Sequence, residues 1–508
     1  MFWSPSFNSA LDREFVPLLL GTESDVKYPF RTVTCETDEF KNALTPQLFA
    51  HINVGFNFLK EEIELEHQSY RTSIKWDIEN NILTEPLAIK QGRIRAYCEQ
   101  SVWMIKNKLM LMNNPNSKIN VFLTFPYTMR RTTKNTIANF WQEAFDKYMG
   151  VGNVSIERIT ESIAPYYYMV SNGGNFAENA LNIDIGGGTT DMLFADIKHQ
   201  TFYYTSSIFA GDDIWGDGKQ LVNNYAKDNG FVQDFEIKLN NGAINVSDQR
   251  RAGYEKYKQI VKNSSDLMSY IFRYDSEFNY CSYISMNTDK FIPILCIHLG
   301  AILYHVAQVL KAKSIEIPST ITFSGMGSQY LHMISSEQQD IEDIVKKMLS
   351  TFINSMSKKG EVINMPKGMK VVFQAKAKEA TAQGAMLVNH PSLGVINGYS
   401  EESLCVYGVE TLKKQLIYAD ASSYKKQVIE EFEKFISLFA QPNDMVTFLK
   451  KDFNINFKNE LLDVIRSEAE QSFNLMSNKM DPTVSQDDIN ETMFFWPLKN
   501  GLYKASQL

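Results

Sequence analysis

Asn182-Ile183-Asp184-Ile185-Gly186-Gly187-Gly188-Thr189-Thr190-Asp191-Met192-Leu193-Phe194 is the stretch that decides the fold of this chain. An apolar alternating strand ends in an acid, turns through three glycines and two threonines, and leaves as a second apolar strand. Glycine tolerates positive φ and lets backbone approach a ligand with no Cβ between them. Successive backbone N–H groups in such a turn form a concave anion site, and the threonine hydroxyls add hydrogen bonds. A carboxylate at the entrance would repel a bare phosphate, so Asp184 requires a cation, or a water held by one, in between. Mg2+ meets that need, because it keeps several waters and takes one or two carboxylates together with phosphate oxygens. The stretch therefore predicts a hairpin cradle for the phosphate tail of a magnesium nucleotide. A plain hairpin favours glycine as well, but it needs neither three glycines nor an acid on each side.

The flanking segments alternate between strand and helix patterns. Val16 to Gly21 reads as a strand into a turn. Pro86 to Met112 has helical periodicity, with Ile94, Cys98, Val102, Ile105 and Leu109 three or four apart, and Pro86 suits a first turn. Ile119 to Pro126 is strongly apolar and reads as a buried strand that ends at the proline. Thr132 to Met149 reads as a helix and Val154 to Ile159 as a strand. Glu161 to Ser171 reads as a tyrosine-rich helix stopped by Asn172-Gly173-Gly174. Thr201 to Ile208 gives a third strand after the hairpin. This order predicts an α/β domain whose sheet is partly parallel and partly antiparallel.

Gln233 to Asp289 reads as a polar helical insert, and Phe291 to Lys311 as a long helix. Thr320 to Phe323 is a strand that enters a second glycine turn, Gly325-Met326-Gly327-Ser328, with a helix expected after it. Backbone there can approach a flat group such as a nucleoside, and a helix N-terminus can face an anion. Met369 to Phe373 reads as a strand and Lys378 to Asn389 as a helix rich in small residues. Past residue 390 the pattern is helical. Tyr424 to Ala440 places Val428, Phe432, Phe435, Ile436 and Phe439 on one face, the spacing of a core-facing helix.

Taken together, these segments resemble the actin/Hsp70/sugar-kinase superfamily of ATPases, closest to its bacterial Hsp70-like and actin-like branch. The resemblance is collinear over residues 118–390. Val121 to Pro126 is similar to the strand-to-proline element before the first connecting helix. Arg158 to Ala164 is similar to the strand-to-helix segment with its Glu–Pro pair, with Ser162 in place of the proline. Asp184 to Asp191 resembles the second phosphate motif, and Phe209-Ala210-Gly211-Asp212-Asp213-Ile214-Trp215-Gly216 the glycine-rich segment after it. Ile321 to Ser328 resembles the adenosine motif. Lys378 to Ala385 resembles the second connecting helix, where small residues let two helices cross closely.

The resemblance implies an actin-like (ribonuclease H-like) two-lobe α/β fold with ATP and Mg2+ in the cleft. Asp184 would hold a Mg2+-bound water. Gly186, Gly187, Gly188, Thr189 and Thr190 would contact the β- and γ-phosphates. Glu161 would sit near the metal or the attacking water, and Gly325, Met326, Gly327 and Ser328 would face the adenosine. Glu255 and Lys258, on one helix face, would flank the adenine; a surface ion pair is the plainer reading of that spacing. The family's first phosphate motif, an acid–x–Gly–Thr hairpin, is not found: Gly21-Thr22 follows leucines. The chain is then either shortened before Met1 or lacks half of the phosphate clamp.

The expected domains are a first lobe over 1–175, a second over 176–390 with its insert at 233–289, and a helical region over 391–508. The expected function is slow Mg2+-dependent ATP hydrolysis coupled to lobe closure. The alternatives are a catalytically inactive interaction module and a filament-forming actin-like structural protein. Either way a protein partner or self-association is expected. An Hsp70 chaperone proper is disfavoured, since the helical pattern past 390 lacks the short alternating strands of a peptide-binding sandwich.

Bulk properties narrow the remaining classes. The 508 residues allow two or more domains. A net charge of -8, with Arg130-Arg131 and Arg250-Arg251 the only adjacent arginines, argues against a nucleic-acid partner. Cys35, Cys98, Cys281, Cys296 and Cys405 are odd in number and without a Cys-x-x-Cys, which fits a reducing compartment. His298 and His305 read as satisfied core or boundary histidines rather than ligands. Met1 to Phe15 shows no signal-peptide pattern. The apolar run Phe291 to Leu310 contains Pro293, His298, His305 and Gln308, so a buried helix is expected and no membrane span. The expected location is cytoplasmic. Gly216-Asp217-Gly218-Lys219-Gln220 lacks the spacing of a P-loop, and Asp212-Asp213 reads as a solvated turn.

Overall fold

The computed structural model describes residues 33–36, 52–55, 70–71, 74–78, 87–114, 117–172, 178–216, 229–260, 264–287, 290–357, 363–374, 377–393, 396, 398–404, 416–440, 455–477 and 488–508. The expected strand at Val16–Gly21, the glycines of the 172–174 stop, Pro86, Cys405 and residues 217–220 lie outside them, as do the side chains of Cys35, Lys378 and Glu379. The chain falls into two compact units. One comprises Met1–Phe125 with Met129–Ile159, the other Pro126–Thr128 with Thr160–Leu508.

The first unit holds β1 (Val33–Glu36), β2 (Ile52–Gly55) and β3 (Tyr70–Arg71), ordered β2-β1-β3 and antiparallel. It also holds a pair, β4 (Ile119–Phe125) and β5 (Val154–Thr160). Its core forms where helix Leu87–Leu111 sets Ile94, Cys98 and Val102 against Ile137, Phe140 and Phe145 of helix Arg131–Met149. The apolar spacing of both segments makes those faces, and both helices match their expected spans. β4 differs from expectation in being only partly buried, with Phe125 its one fully buried residue. Among the described residues the ribbon has two strands, too few to cover both faces.

The second unit is built on a six-stranded sheet of β6 (Ala180–Ile185), β7 (Thr190–Asp196), β8 (Thr201–Ser207), β9 (Thr320–Ser324), β10 (Lys370–Phe373) and β11 (Ser400–Ser403). The order is β10-β9-β6-β7-β8-β11. β6, β7 and β8 form an antiparallel meander, while β9 runs parallel to β6, β10 to β9 and β11 to β8. This is the partly parallel, partly antiparallel α/β sheet the sequence predicts.

Alternation along the strands divides two cores between its faces. Leu181, Ile183 and Ile185 with Met192 and Phe194 face the larger one. Ala180, Leu193, Ala195 and Phe202 face a smaller one, beneath Tyr166, Tyr167 and Val170 of helix Ala164–Ser171. That helix is crossed by helix Ala377–Leu387 at Gly384, where a Cβ would run into the Ala164 carbonyl. The close helix crossing expected from the small residues is therefore present.

The larger core is completed from distant sequence. Helix Ile292–Lys313 is buried along its whole apolar length, including His298 and His305. The region expected to be helical past residue 390 supplies helices Lys425–Ala440 and Ile455–Ser477. Phe432, Phe435, Ile436 and Phe439 join the same core, as do Phe494, Phe495, Leu498 and Leu502 near the C-terminus. The insert is helical as well and adds Phe235, Tyr254, Tyr257 and Leu267.

Candidate functional site

Asp184 stands near the end of β6, on the face that Ala180 turns to the smaller core. Register sets Asp184 opposite Asp191 on β7 and Ser324 on β9, and Asp191 opposite Ser206 on β8. Opposed residues share a face, so Ser324, Asp184, Asp191 and Ser206 make one polar row across four strands. Asp191 is buried and Asp184 half-buried. Ser162 Oγ donates to Asp191 Oδ1 (3.4 Å), and Ser206 Oγ to Thr128 Oγ1 (3.5 Å). Ser324 Oγ is buried and has no hydrogen-bond partner among the described residues. An unsatisfied buried hydroxyl costs about 1–3 kcal/mol, which a bound water or ligand atom would relieve.

Three turns close on the end of this row. In the hairpin, Gly186 N donates to Thr189 O (2.8 Å). In the segment after β8, Gly211 N donates to Gly186 O (3.2 Å) and Asp212 N to Gly187 O (2.7 Å). After β9, Gly325 takes φ +85° and lies against Asp184 and Ile185. A Cβ on Gly327 would stand 2.8 Å from Ile185 O and nearer still to Gly186 O. One on Gly211 would meet Gly186 O at 3.4 Å and the Gly327 Cα at 3.5 Å. Three segments thus touch backbone to backbone, and at Gly325 and Gly327 only glycine permits it.

The hairpin glycines do not act as expected in one respect: none of Gly186, Gly187 and Gly188 takes a positive φ. A Cβ on Gly187 would lie in ordinary contact with the Asp212 carboxylate, at 3.4–3.5 Å. The Gly186 amide is engaged within the turn, and Thr190 is buried with its hydroxyl donating to Phe209 O (2.6 Å). Gly187 is exposed, while Gly188 and Thr189 are half-buried.

The second glycine turn opens a 3-10 turn, Met326–Tyr330, followed by the four-residue helix Leu331–Ile334, rather than the helix expected there. Ser328 Oγ closes the turn on Gly325 O (2.7 Å), and Met326 is exposed. Glu161 lies half-buried in the turn before helix Ala164–Ser171, next to Ser162. Glu255 is exposed on helix Asp248–Ile260, and Lys258 forms an ion pair with Glu236 (2.7 Å) of the preceding helix.

Asp212 and Asp213 are not a solvated turn. Asp213 Oδ2 accepts from Ala210 N (2.8 Å) and its Oδ1 from Lys499 Nζ (2.9 Å), while Asp212 accepts from Ser265 Oγ. His298 ties two of the turns together. Its Nε2 faces Ala210 O (3.0 Å) and its Nδ1 the Tyr330 hydroxyl (2.9 Å). A carbonyl can only accept, so Nε2 carries the proton and Nδ1 receives the tyrosine's. Burial lowers the His298 pKa to about 4, which keeps the ring neutral. Hairpin register gives the sequence signal for Asp191 opposite Asp184. Ser324, His298 and Lys499 carry no local signal.

No family model matches this chain, and no curated protein does. Among solved structures, MreB 5 of Spiroplasma citri bound to AMPPNP is 13% identical, with 70% of this chain and 87% of that chain covered and a TM-score of 0.31. A likeness of that size carries no functional assignment. The α/β class with its mixed sheet is the one expected of the actin-like fold.

Proposed function

We propose that this chain binds ATP as its Mg2+ complex on the 186–190 hairpin and hydrolyses it slowly. The observation that carries the reading is the convergence of three glycine turns on the half-buried Asp184, at the end of a polar row crossing four strands. Gly187, Gly188 and Thr189 are the residues we assign to the phosphates, because they form the solvent-facing tip of the hairpin, Gly187 exposed and the other two half-buried. Gly325, Met326, Gly327 and Ser328 would line the nucleoside side.

The donors suit hydrated Mg2+. Asp184 offers one carboxylate, and the buried Ser324 hydroxyl opposite it lacks a partner among the described residues. Among the described residues no group of three or more His, Cys, Asp or Glu stands ready to chelate a metal. Such a set suits an ion that keeps its waters and takes phosphate oxygens. Bound Mg2+ would neutralise charge on the phosphate oxygens. Backbone amides of the hairpin would stabilise the charge that develops on the transferred group, and Glu161 would orient the attacking water. Binding without turnover is the second reading. It is favoured by the absence of an acid–x–Gly–Thr hairpin from these 508 residues, which leaves one phosphate turn where the resemblance implies two.

Titration calorimetry of the full chain tests this. Heat on adding ATP with Mg2+, lost with chelator and lost in Asp184→Asn, supports binding, and phosphate release separates the two readings. No heat with any purine triphosphate at saturating Mg2+ would refute both. Light scattering with and without ATP tests self-association.

A further inference from the structure

We propose that residues 491–506 form a strap on the phosphate turn, with Lys499 as a positioning residue that acts through Asp213. The proposal rests on the nucleotide reading above and deepens it. The path is continuous. Lys499 Nζ, on a side chain only 4% exposed, donates to Asp213 Oδ1, whose other oxygen holds Ala210 N. The next two amides, Gly211 N and Asp212 N, donate to Gly186 O and Gly187 O of the hairpin.

The strap grips the other side of the same segment independently. Glu491 Oε2 accepts from Ile208 N (2.7 Å), and its Oε1 from Trp496 Nε1 (3.0 Å). Phe495 stacks on Phe209 at 4.6 Å between ring centroids, and Phe209 stacks on His298 at the same distance. The segment 208–213 is therefore held at both ends by side chains from the C-terminal segment before it reaches the hairpin.

A buried lysine is costly unless paired, and an apolar residue would fill its place at less cost. What the pair supplies is geometry: it engages the one oxygen of Asp213 that the Ala210 amide does not, so the carboxylate cannot swing away. Coupling of this kind, through residues that touch no ligand, shifts affinity by roughly 2- to 30-fold.

The test uses the full chain with Lys499→Met, Lys499→Arg and the double variant Asp213→Asn/Lys499→Met, which leaves no charge unpaired if the single variant fails to fold. Leu462→Ala, a change in the same core outside the strap, controls for stability. Two readouts are taken: hydrogen exchange of peptides over 186–190 and 208–213 without ligand, and calorimetric affinity for ATP with Mg2+. We expect faster exchange at those peptides and roughly ten-fold weaker affinity in Lys499→Met and in the double variant, with recovery in Lys499→Arg. Exchange and affinity no worse than in Leu462→Ala at equal thermal midpoint would overturn the proposal. Wild-type chain that binds no nucleotide but shows the exchange effect would sink the nucleotide reading and leave the strap standing as a structural tie.

Discussion

Gly325→Ala separates backbone strain from crowding at the candidate site. Gly325 has φ +85° and ψ 149°, close to a region populated essentially by glycine alone. Holding alanine there costs about 1–3 kcal/mol. Its methyl group would also stand 2.5 Å from the Ile185 carbonyl carbon, and closer to Ile185 O and Asp184 Oδ1. Two of those three atoms are backbone of β6, hydrogen-bonded on both sides, so relief requires moving a central strand. Overpacking of that kind adds about 1–3 kcal/mol.

The expected loss is therefore about 2–6 kcal/mol. Gly368→Ala supplies the control: φ is +79°, and nothing lies within 4 Å of the added methyl. It should cost only the backbone share, about 1–2 kcal/mol. Thermal midpoints by circular dichroism compare the two, and Mg2+–ATP titration follows on whichever variants fold. Because the methyl presses on Asp184 itself, Gly325→Ala should, on the proposed ATPase reading, lose turnover by about 100-fold, the effect of a 1 Å misplacement. Equal midpoints for the two alanine variants, or unchanged turnover in Gly325→Ala, would refute the reasoning.

Gly384→Leu should separate helices Ala164–Ser171 and Ala377–Leu387, because even a Cβ there overlaps the Ala164 carbonyl; the measured outcome is a lower thermal midpoint than for Ala385→Leu on the same helix. Acid should destabilise the chain through His298. Burial holds its folded pKa to about 4 against an ordinary 6.5, so the unfolded chain binds the extra proton between those values. That contribution, on the order of 3 kcal/mol, is full above pH 6.5 and is lost as pH falls towards 4. Urea midpoints across pH 4–7 should slope less in His298→Gln than in wild type, and an identical slope would exclude the histidine as the source.

How far the sequence predicts the structure depends on range. Helix Leu87–Leu111 and the 180–196 hairpin are set by periodicity and turn chemistry within the segment, and both lie where they are expected. β11, Ser-Glu-Glu-Ser, has no apolar alternation at all; it is a strand because it pairs with the edge of β8. Asp184 and its glycines are legible because the motif is local. The Lys499–Asp213 pair joins residues 286 apart, and nothing near either one announces the other. Asp213 illustrates the general reason. Adjacent acids in a turn look solvated until a distant segment arrives to cover them.

On the proposed reading, Mg2+ and the phosphates sit over the polar row. Asp184 and Asp191 oppose each other across a paired register, and like charges so placed destabilise a sheet, by up to about 1 kcal/mol. Any side chain in place of Gly325, just after β9, would crowd the Asp184 carboxylate. A neutral residue at position 184 would remove that repulsion together with the contacts the carboxylate makes. Asp184→Asn keeps the shape and removes the repulsion. On the proposed reading it abolishes the protection that Mg2+–ATP would give, while the ligand-free thermal midpoint reports the balance between the repulsion removed and the contacts Asp184 makes. If the substitution lowers the ligand-free midpoint, the carboxylate is serving the fold, and the case for a cation there loses its energetic support.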